Sequence, residues 1–443
     1  MWDGDGVSNV NKPLRVALLG CGVVGSQVAR LLTTQGAELA MRCGRPLELV
    51  GIAVRDTKKP RGNIDPALFT DDATGLVTRD DIDIVIELIG GIEPAESLIL
   101  SAIDHGASIV TANKALLGAR ASELFEAADR AGVDLYFEAA VAGAIPIVRP
   151  LRESLVGDEI TTVMGIVNGT TNFILDKMTL EGMTFADALA LAQEAGYAEA
   201  DPTADVEGYD AAAKAAILAR LAFHSPITVD QVYREGITQL TPDDIKAAAS
   251  ANCVIKLLAI AEVLPGGAIS VRVHPAMVPV EHPLAGVHGA YNAIFVLARQ
   301  AGRLMFLGPG AGGVPTASAV IGDLVTVARN RDRGVAGPSH AIDVARPVAP
   351  IGQAMTRYHL RFRVADAPGV LANVAAVFAN HHVSVANVRQ TRPSIMDEQS
   401  PWSAELHLQT HTAPEADQQA CVAELVDSPV VGGAPQVLRL EGL

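Results

Sequence analysis

Short apolar runs alternate with helical segments along the first third of the chain. Leu14–Leu19 is a continuous apolar run, as expected for a strand buried on both faces of a parallel sheet. Glu48–Val54 and the runs that open Asp83–Gly91, Ser108–Lys114 and Asp134–Glu138 repeat the pattern, with helices predicted over Ser26–Thr33 and Pro94–His105. Strand–helix alternation over residues 13–145 predicts a doubly wound α/β sheet. Past Pro150 the pattern changes. Ile160–Val167 reads as a strand, followed by helices over Phe173–Leu180, Phe185–Ala195 and Tyr209–His224, with further helix to about Ile260 that carries Cys253. Ile269–Pro279 and Ala293–Gly302 read as strands, and Ala317–Arg329 as a helix. Arg331–Met355 is rich in Pro, Ala and Gly and reads as a linker. After it, strands at Tyr358–Val364, Val383–Arg389, Ala404–Thr410 and Val437–Leu440 interleave with a helix opened by Asp366–Leu371, Pro368 in its first turn, and another at Pro414–Val426. That order is β-α-β-β-α-β, a ferredoxin-like module.

The predicted divisions are a disordered tail (1–12), a nucleotide-binding domain (13–150) completed by a returning segment (308–330), an α+β substrate and dimerisation domain (151–307), a linker (331–357) and the C-terminal module (358–443). At 443 residues, two or three sizeable cores are expected. The formal net charge of −16, with no basic run, argues against a nucleic-acid partner. Met1–Lys12 lacks the apolar segment of a secretory signal, and no run of about 18 apolar residues offers a membrane span. Four cysteines without paired spacing imply neither a disulfide framework nor a zinc site, which fits a reducing, cytoplasmic setting. His274, His282 and His288 are expected in loops, without metal-ligand spacing.

Gly20-Cys21-Gly22-Val23-Val24-Gly25 follows the first strand and opens a helix. In that setting Gly20 permits the turn, Gly22 lets backbone N–H groups approach a pyrophosphate, and Gly25 lets helix and strand pack closely. The helix N-terminus adds partial positive charge. A Rossmann-type dinucleotide site is expected here. The second strand ends at Arg55-Asp56. Arg55 suits a 2′-phosphate and Asp56 a free ribose hydroxyl, so NADP and NAD both stay open, with a lean to NADP. A second glycine-rich loop, Gly308–Thr316, is either another phosphate cradle or the entry to a helix that returns to the cofactor site.

Gly196–Lys214 carries five acids (Glu199, Asp201, Asp205, Glu207 and Asp210) and then Lys214. Asp210 and Lys214 are four apart and share a helix face, a spacing that alone describes a solvated ion pair. The wider pattern says more. Ala192, Gly196-Tyr197-Ala198, Asp201-Pro202, Asp205-Val206-x-Gly208-x-Asp210 and Lys214 resemble the long motif of homoserine dehydrogenases. Thr111–Lys114, Asn168–Asn172 and Gly308–Gly312 resemble the same family in the same order, over about residues 13 to 330. Asp366-Ala367-Pro368-Gly369-Val370-Leu371 resembles the hallmark of ACT domains, small amino-acid-sensing modules.

The resemblance implies reduction of L-aspartate 4-semialdehyde to L-homoserine with NADPH or NADH. It implies Lys214 as proton donor, Lys114 between cofactor and substrate, and Asp210 helping to hold the substrate or a water beside Lys214. Glu199 would bind the substrate ammonium, Asp205 would support it, and Thr170 and Tyr197 would touch the substrate. Gly196 would lie near the nicotinamide, with Gly310 and Gly312 on the cofactor side. A sodium ion would be held by the Glu138 side chain and the carbonyls of Val141, Gly143 and Ile145. It further implies a homodimer or homotetramer, and threonine as an effector at the ACT module. The residue types suit the chemistry: hydride addition makes an alkoxide, which needs a proton or a positive charge close by. A phosphorylating semialdehyde dehydrogenase would need a nucleophilic cysteine; Cys21, in the phosphate loop, and Cys253 do not fit that role. A sensor that has lost catalysis is disfavoured by the intact Lys114, Glu199, Asp210 and Lys214.

Overall fold

The computed structural model describes residues 12–338, 344–391 and 402–442; the predicted N-terminal tail lies outside them except for Lys12. The first six strands are β1 (Leu14–Leu19), β2 (Leu47–Ala53), β3 (Phe69–Thr70), β4 (Ile84–Glu87), β5 (Ser108–Thr111) and β6 (Leu135–Tyr136). They form a parallel sheet in the order β3-β2-β1-β4-β5-β6, the doubly wound arrangement of dinucleotide-binding domains. Helices α1 (Val23–Thr34), α2 (Gly36–Cys43), α3 (Ala73–Val77), α4 (Ala95–Asp104) and α5 (Lys114–Ala131) cover its faces. Every residue of β4 and β5 is buried, which explains why neither alternates apolar with polar positions. Two predicted strands are shorter than expected. β5 stops at Thr111 because the Asn113 side chain accepts from Leu116 N–H (3.1 Å) and caps α5, making Lys114 its first residue. Glu138 lies in a helical turn beyond β6.

The second region comprises β7 (Ile160–Ile166), α6 (Gly169–Glu181), α7 (Phe185–Glu194), α8 (Thr203–Val206), α9 (Tyr209–Phe223), β8 (Tyr233–Arg234), α10 (Pro242–Ser250), β9 (Cys253–Val263), β10 (Ile269–Pro279), β11 (Tyr291–Ala298), β12 (Gly302–Pro309) and α11 (Gly313–Arg333). Two expectations are corrected here. Cys253 does not lie on a helix: Asn252, at φ +56°, ends α10, and β9 pairs with both β7 and β10. β9 is buried on both faces and so lacks the alternation that marks a strand. The single strand expected at Ala293–Gly302 is a hairpin, and β12 takes up Gly308 and Pro309 from the glycine-rich loop. His274 lies on β10, fully buried, rather than in a loop. α11 returns to the first sheet, where Leu324 and Val327 share a core with Leu18, Val28 and Ile86.

The C-terminal module holds β13 (Met355–Thr356), β14 (Tyr358–Val364), α12 (Val370–Asn380), β15 (Val385–Thr391), β16 (Ala404–Thr410), β17 (Ala413–Pro414), α13 (Glu415–Val426) and β18 (Gln436–Leu440). Its sheet order, β18-β14-β16-β15, is that of the expected ferredoxin-like fold. Gly369, at φ +89°, precedes α12, so Pro368 stands before the helix instead of in its first turn. β18 pairs in parallel with β10, so the module's sheet continues the sheet of the second region. The expected linker is docked: Val344 N–H donates to His224 C=O (2.8 Å) and Ile269 N–H to Pro347 C=O (2.9 Å).

Candidate active site

A cleft of about 1360 Å³ opens at the carboxyl end of β1 and β2, lined by Gly20, Gly22, Val23, Arg55, Lys59 and Arg61 among others. Its glycines divide as the motif requires. A Cβ on Gly20, at φ +93°, would meet Leu88 O at 2.7 Å, and one on Gly25 would meet Gly20 O at 2.2 Å. A Cβ on Gly22 would meet nothing within 4 Å, so only there does the backbone face open space. Val24 packs inward against the core. Arg55 is exposed and faces the cleft, whereas Asp56 accepts from Lys58 N–H (2.9 Å) in the following turn. Gly310, Gly312, Gly196 and Lys114 are not part of this lining. The start of α11 nevertheless adjoins it, because a Cβ on Gly313 would meet Val23 Cγ1 at 2.9 Å.

The acid-rich stretch runs from the short helix α8 through a tight turn into the long helix α9. Gly208, at φ +78°, precedes α9 and sets Asp210 in its first turn, where the helix dipole favours a carboxylate. Asp210 and Lys214 are both 9% exposed. Lys214 Nζ donates to Asp210 Oδ2 (2.6 Å) and to Val167 C=O (2.7 Å) at the end of β7. Lys114, from the start of α5 in the nucleotide domain, donates to Asp210 Oδ1. Asn168 Nδ2 donates to Asp205 Oδ1 (2.6 Å) and Asp210 Oδ2 (3.0 Å), while its Oδ1 accepts Thr171 N–H and caps α6. Burial works to raise the Asp210 carboxyl, but the ammonium groups of Lys214 and Lys114 outweigh it and hold the group well below the usual carboxylate range.

Lys114, Asp205, Asp210 and Lys214 therefore form one hydrogen-bonded cluster. Thr170 Oγ1 donates to Tyr197 C=O (2.6 Å), tying α6 to the loop before the acids. Glu199 is exposed, and its carboxylate makes no hydrogen bond or ion pair among the described residues. Asn168 and the Val167 carbonyl carry no role in the sequence reading. An Asn before a helix-opening Gly-Thr-Thr is a legible cap signal; a backbone acceptor has no side-chain signature.

Glu138 is buried, and its Oε1 accepts from Ile147 N–H (2.6 Å) and Val148 N–H (2.7 Å), its Oε2 from Arg149 N–H (3.1 Å). Burial pushes this carboxyl up against those amides and the Arg149 guanidinium. Among the described residues no hydrogen bond ends on the carbonyls of Val141, Gly143 or Ile145. A Cβ on Gly143 would meet the Gly310 carbonyl carbon at 2.6 Å, so this loop packs against the glycine-rich loop before α11. Among the described residues no group of three or more His, Cys, Asp or Glu side chains is placed to hold a metal. The four cysteines are free; burial pushes the Cys21 thiol up and that of Cys253 up to about 11, neither suited to nucleophilic attack.

A doubly wound sheet with an open glycine turn, joined to a buried lysine–carboxylate cluster and no thiolate, defines an NAD(P)-dependent oxidoreductase. Family models agree: "Homoserine dehydrogenase, NAD binding domain" matches residues 20–138, "Homoserine dehydrogenase" matches 146–325, and "ACT domain" matches 358–397. The chain is 54% identical to the homoserine dehydrogenase of Corynebacterium glutamicum, over 96% of this chain and 95% of that one. It is 39% identical to that of Bacillus subtilis, over 97% and 99%. A crystal structure of a homoserine dehydrogenase from Thiobacillus denitrificans superposes with a TM-score of 0.88 at 40% identity, over 97% of this chain and 99% of that one. A hyperthermophilic archaeal homoserine dehydrogenase mutant in complex with NADPH superposes with a TM-score of 0.61 at 27% identity, over 71% and 98%. The chain belongs to the homoserine dehydrogenase family, with a C-terminal ACT domain. Among the described residues no helix is long and apolar enough to cross a membrane.

Proposed function

We propose that the chain reduces L-aspartate 4-semialdehyde to L-homoserine, a step toward threonine, methionine and isoleucine, and that Lys214 gives its proton to the aldehyde oxygen. The observation that carries this reading is the buried contact of Lys214 with Asp210 and the Val167 carbonyl, in one cluster with Lys114. When bound, the dihydronicotinamide supplies the hydride. Lys214 then meets the developing alkoxide with a proton and with positive charge, both of which favour the transition state. Asp210 holds the two lysines in place. Asn168 ties Asp205 to the same carboxylate, so the pocket floor is set before substrate arrives. Glu199, whose carboxylate is exposed and unengaged among the described residues, receives the substrate ammonium. Thr170 and Tyr197 flank it. Lys114 and Gly196 face the nicotinamide end, with Gly310 and Gly312 on the cofactor side.

NADPH is the preferred cofactor in this reading. Arg55, Lys59 and Arg61 line the cleft, while the Asp56 carboxylate caps a turn. The archaeal relative solved with NADPH supports the choice. A monovalent cation, sodium by family resemblance, would take the carbonyls of Val141, Gly143 and Ile145. The Glu138 side chain fits poorly as its ligand, because three amides already occupy the carboxylate; its part is to shape the loop. Threonine acts at residues 358–443, and the working unit is a homodimer or homotetramer. Initial rates of NADPH oxidation on adding L-aspartate 4-semialdehyde, with and without L-threonine, test the proposal. Cofactor binding without oxidation contradicts the activity; rates indifferent to threonine contradict the effector.

A further inference from the structure

The turn that presents Asp205 and Asp210 does not stand on its own region alone. Residues 234–238 pack against it. Ile237 N–H donates to Val206 C=O (2.8 Å), and Thr238 Oγ1 donates to Glu207 Oε1 (2.9 Å). Arg234 donates to Glu207 C=O, and its guanidinium lies 3.5 Å from the centre of the Tyr209 ring. A Cβ on Gly236 would meet Val206 O at 2.6 Å, and one on Gly208 would meet Arg234 Cγ at 3.3 Å and Glu235 O at 3.4 Å, so the two segments approach closely at both glycines. The segment is also tied in the other direction. Glu235 N–H donates to Val273 C=O (2.8 Å) beside the β8–β10 pairing, and Glu235 Oε2 accepts from Arg439 Nη1 (2.9 Å) of β18. Arg439 donates in turn to Glu415 Oε1 (3.1 Å from Nε), which also accepts from Tyr358 Oη (2.7 Å). Glu415 is fully buried, and Arg439 is 7% exposed. Beside this ion pair, β18 is hydrogen-bonded to β10 at Ala276–Arg439 and Met277–Leu440.

We infer that Glu235 and Arg439 are positioning residues for Asp205 and Asp210, so that the last strand of the ACT domain braces the catalytic turn. The inference rests on the roles given to those two acids above. The Arg439 guanidinium is buried and held by two carboxylates, Glu415 and Glu235, so it offers the partly exposed Glu235 a fixed anchor. Freed of it, residues 233–238 keep their sheet contact but lose the side-chain tether that fixes them against β18, and with it a firm seat for Val206–Gly208. A small misplacement of reacting groups is expensive in turnover.

The test uses the full chain with Glu235→Gln, Arg439→Met, the double variant and Arg439→Lys. In hydrogen exchange, amides of 206–212 should exchange faster in Glu235→Gln and Arg439→Met, while those of 20–34 in the cofactor loop stay at the wild-type rate. In kinetics, kcat/KM for the semialdehyde should fall about tenfold with NADPH affinity unchanged. The double variant should be no worse than Arg439→Met alone, which also unpairs the buried Glu415, and Arg439→Lys should recover part of the loss. Lower thermal stability with wild-type exchange at 206–212 and wild-type kcat/KM overturns the inference, since a purely structural pair behaves that way. Thr238→Val, which cuts the same path at its near end, must show the same exchange and kinetic signature if the Arg439 variants do not fold; wild-type behaviour there overturns it equally. Exchange at 206–212 reads the brace even if the wild type does not reduce the semialdehyde, so failure of the activity and failure of the brace are told apart.

Discussion

Asp210→Asn is the most informative perturbation of the site short of removing a lysine. The native carboxylate accepts from Lys214 (2.6 Å) and Asn168 (3.0 Å) through Oδ2 and from Lys114 through Oδ1. An amide has one acceptor atom, so one side of the cluster must face an NH₂ group. The arrangement of least cost turns the amide oxygen to Lys214 and the NH₂ to Lys114, because the Lys114 side chain is 46% exposed and can take water instead, against 11% for Lys214. Lys214 then keeps two acceptors but loses its counter-charge. Removing one member of a buried pair costs roughly 3–5 kcal/mol, and the retained Val167 carbonyl places this variant near 3. The same loss of charge-assisted hydrogen bonding lowers kcat/KM about 100-fold, since about 1.4 kcal/mol is one factor of ten. The assays are urea unfolding followed by fluorescence, initial rates with the semialdehyde, and NADPH titration. Cofactor affinity should stay near the wild-type value, because Asp210 does not line the nucleotide cleft. Turnover within threefold of wild type, or a matching loss of NADPH affinity, would refute the reasoning.

Two further perturbations probe separate parts of the molecule. Arg55→Ala should raise KM for NADPH about tenfold or more while leaving KM for NADH alone, the loss of one charge-assisted phosphate contact; equal changes for both cofactors would show that Arg55 does not read the 2′-phosphate. Burial, with the charges of His407 and Arg361 adding, pushes the His359 imidazole in the ACT sheet down to about 4. In the unfolded chain it takes a proton near about 6.5, so stability present above that pH is lost as pH falls toward 4. His359→Gln should flatten the fall of the unfolding midpoint between pH 6.5 and 4.5; parallel profiles for variant and wild type would contradict the sign.

Much of the fold is legible where local pattern and burial agree. Leu14–Leu19, Ile269–Pro279 and Ala404–Thr410 begin and end where the sequence pattern places them, the last by its alternation of buried and half-buried positions. β9 is not legible, because a strand packed on both faces looks like the Ala-rich helix before it; only its pairing with β7 and β10 decides. The turn from β11 to β12 is hidden because Arg299–Ala301 carries no strong turn signal, and the glycines of β12 read as a loop. In the site, the spacing of Asp210 and Lys214 is local and visible. The contact of Lys114 with Asp210 crosses two regions and 96 residues, and no periodicity encodes it. The resemblance to a family brought those residues together on paper, and the geometry adds Asn168 and the Val167 carbonyl. Continuity of the β10 and β18 sheets is legible only in the fold, since parallel pairing across more than 150 residues leaves no trace in either strand.

The central claim is that Lys214 supplies the proton. Lys214→Met keeps much of the volume and leaves Asp210 its contacts to Lys114 and Asn168, so the variant should fold and bind NADPH as the wild type does. Its kcat with L-aspartate 4-semialdehyde should fall by about 100-fold or more, the usual contribution of a positioned general acid. A loss of less than about tenfold at unchanged NADPH affinity would contradict the assignment and pass the role to Lys114.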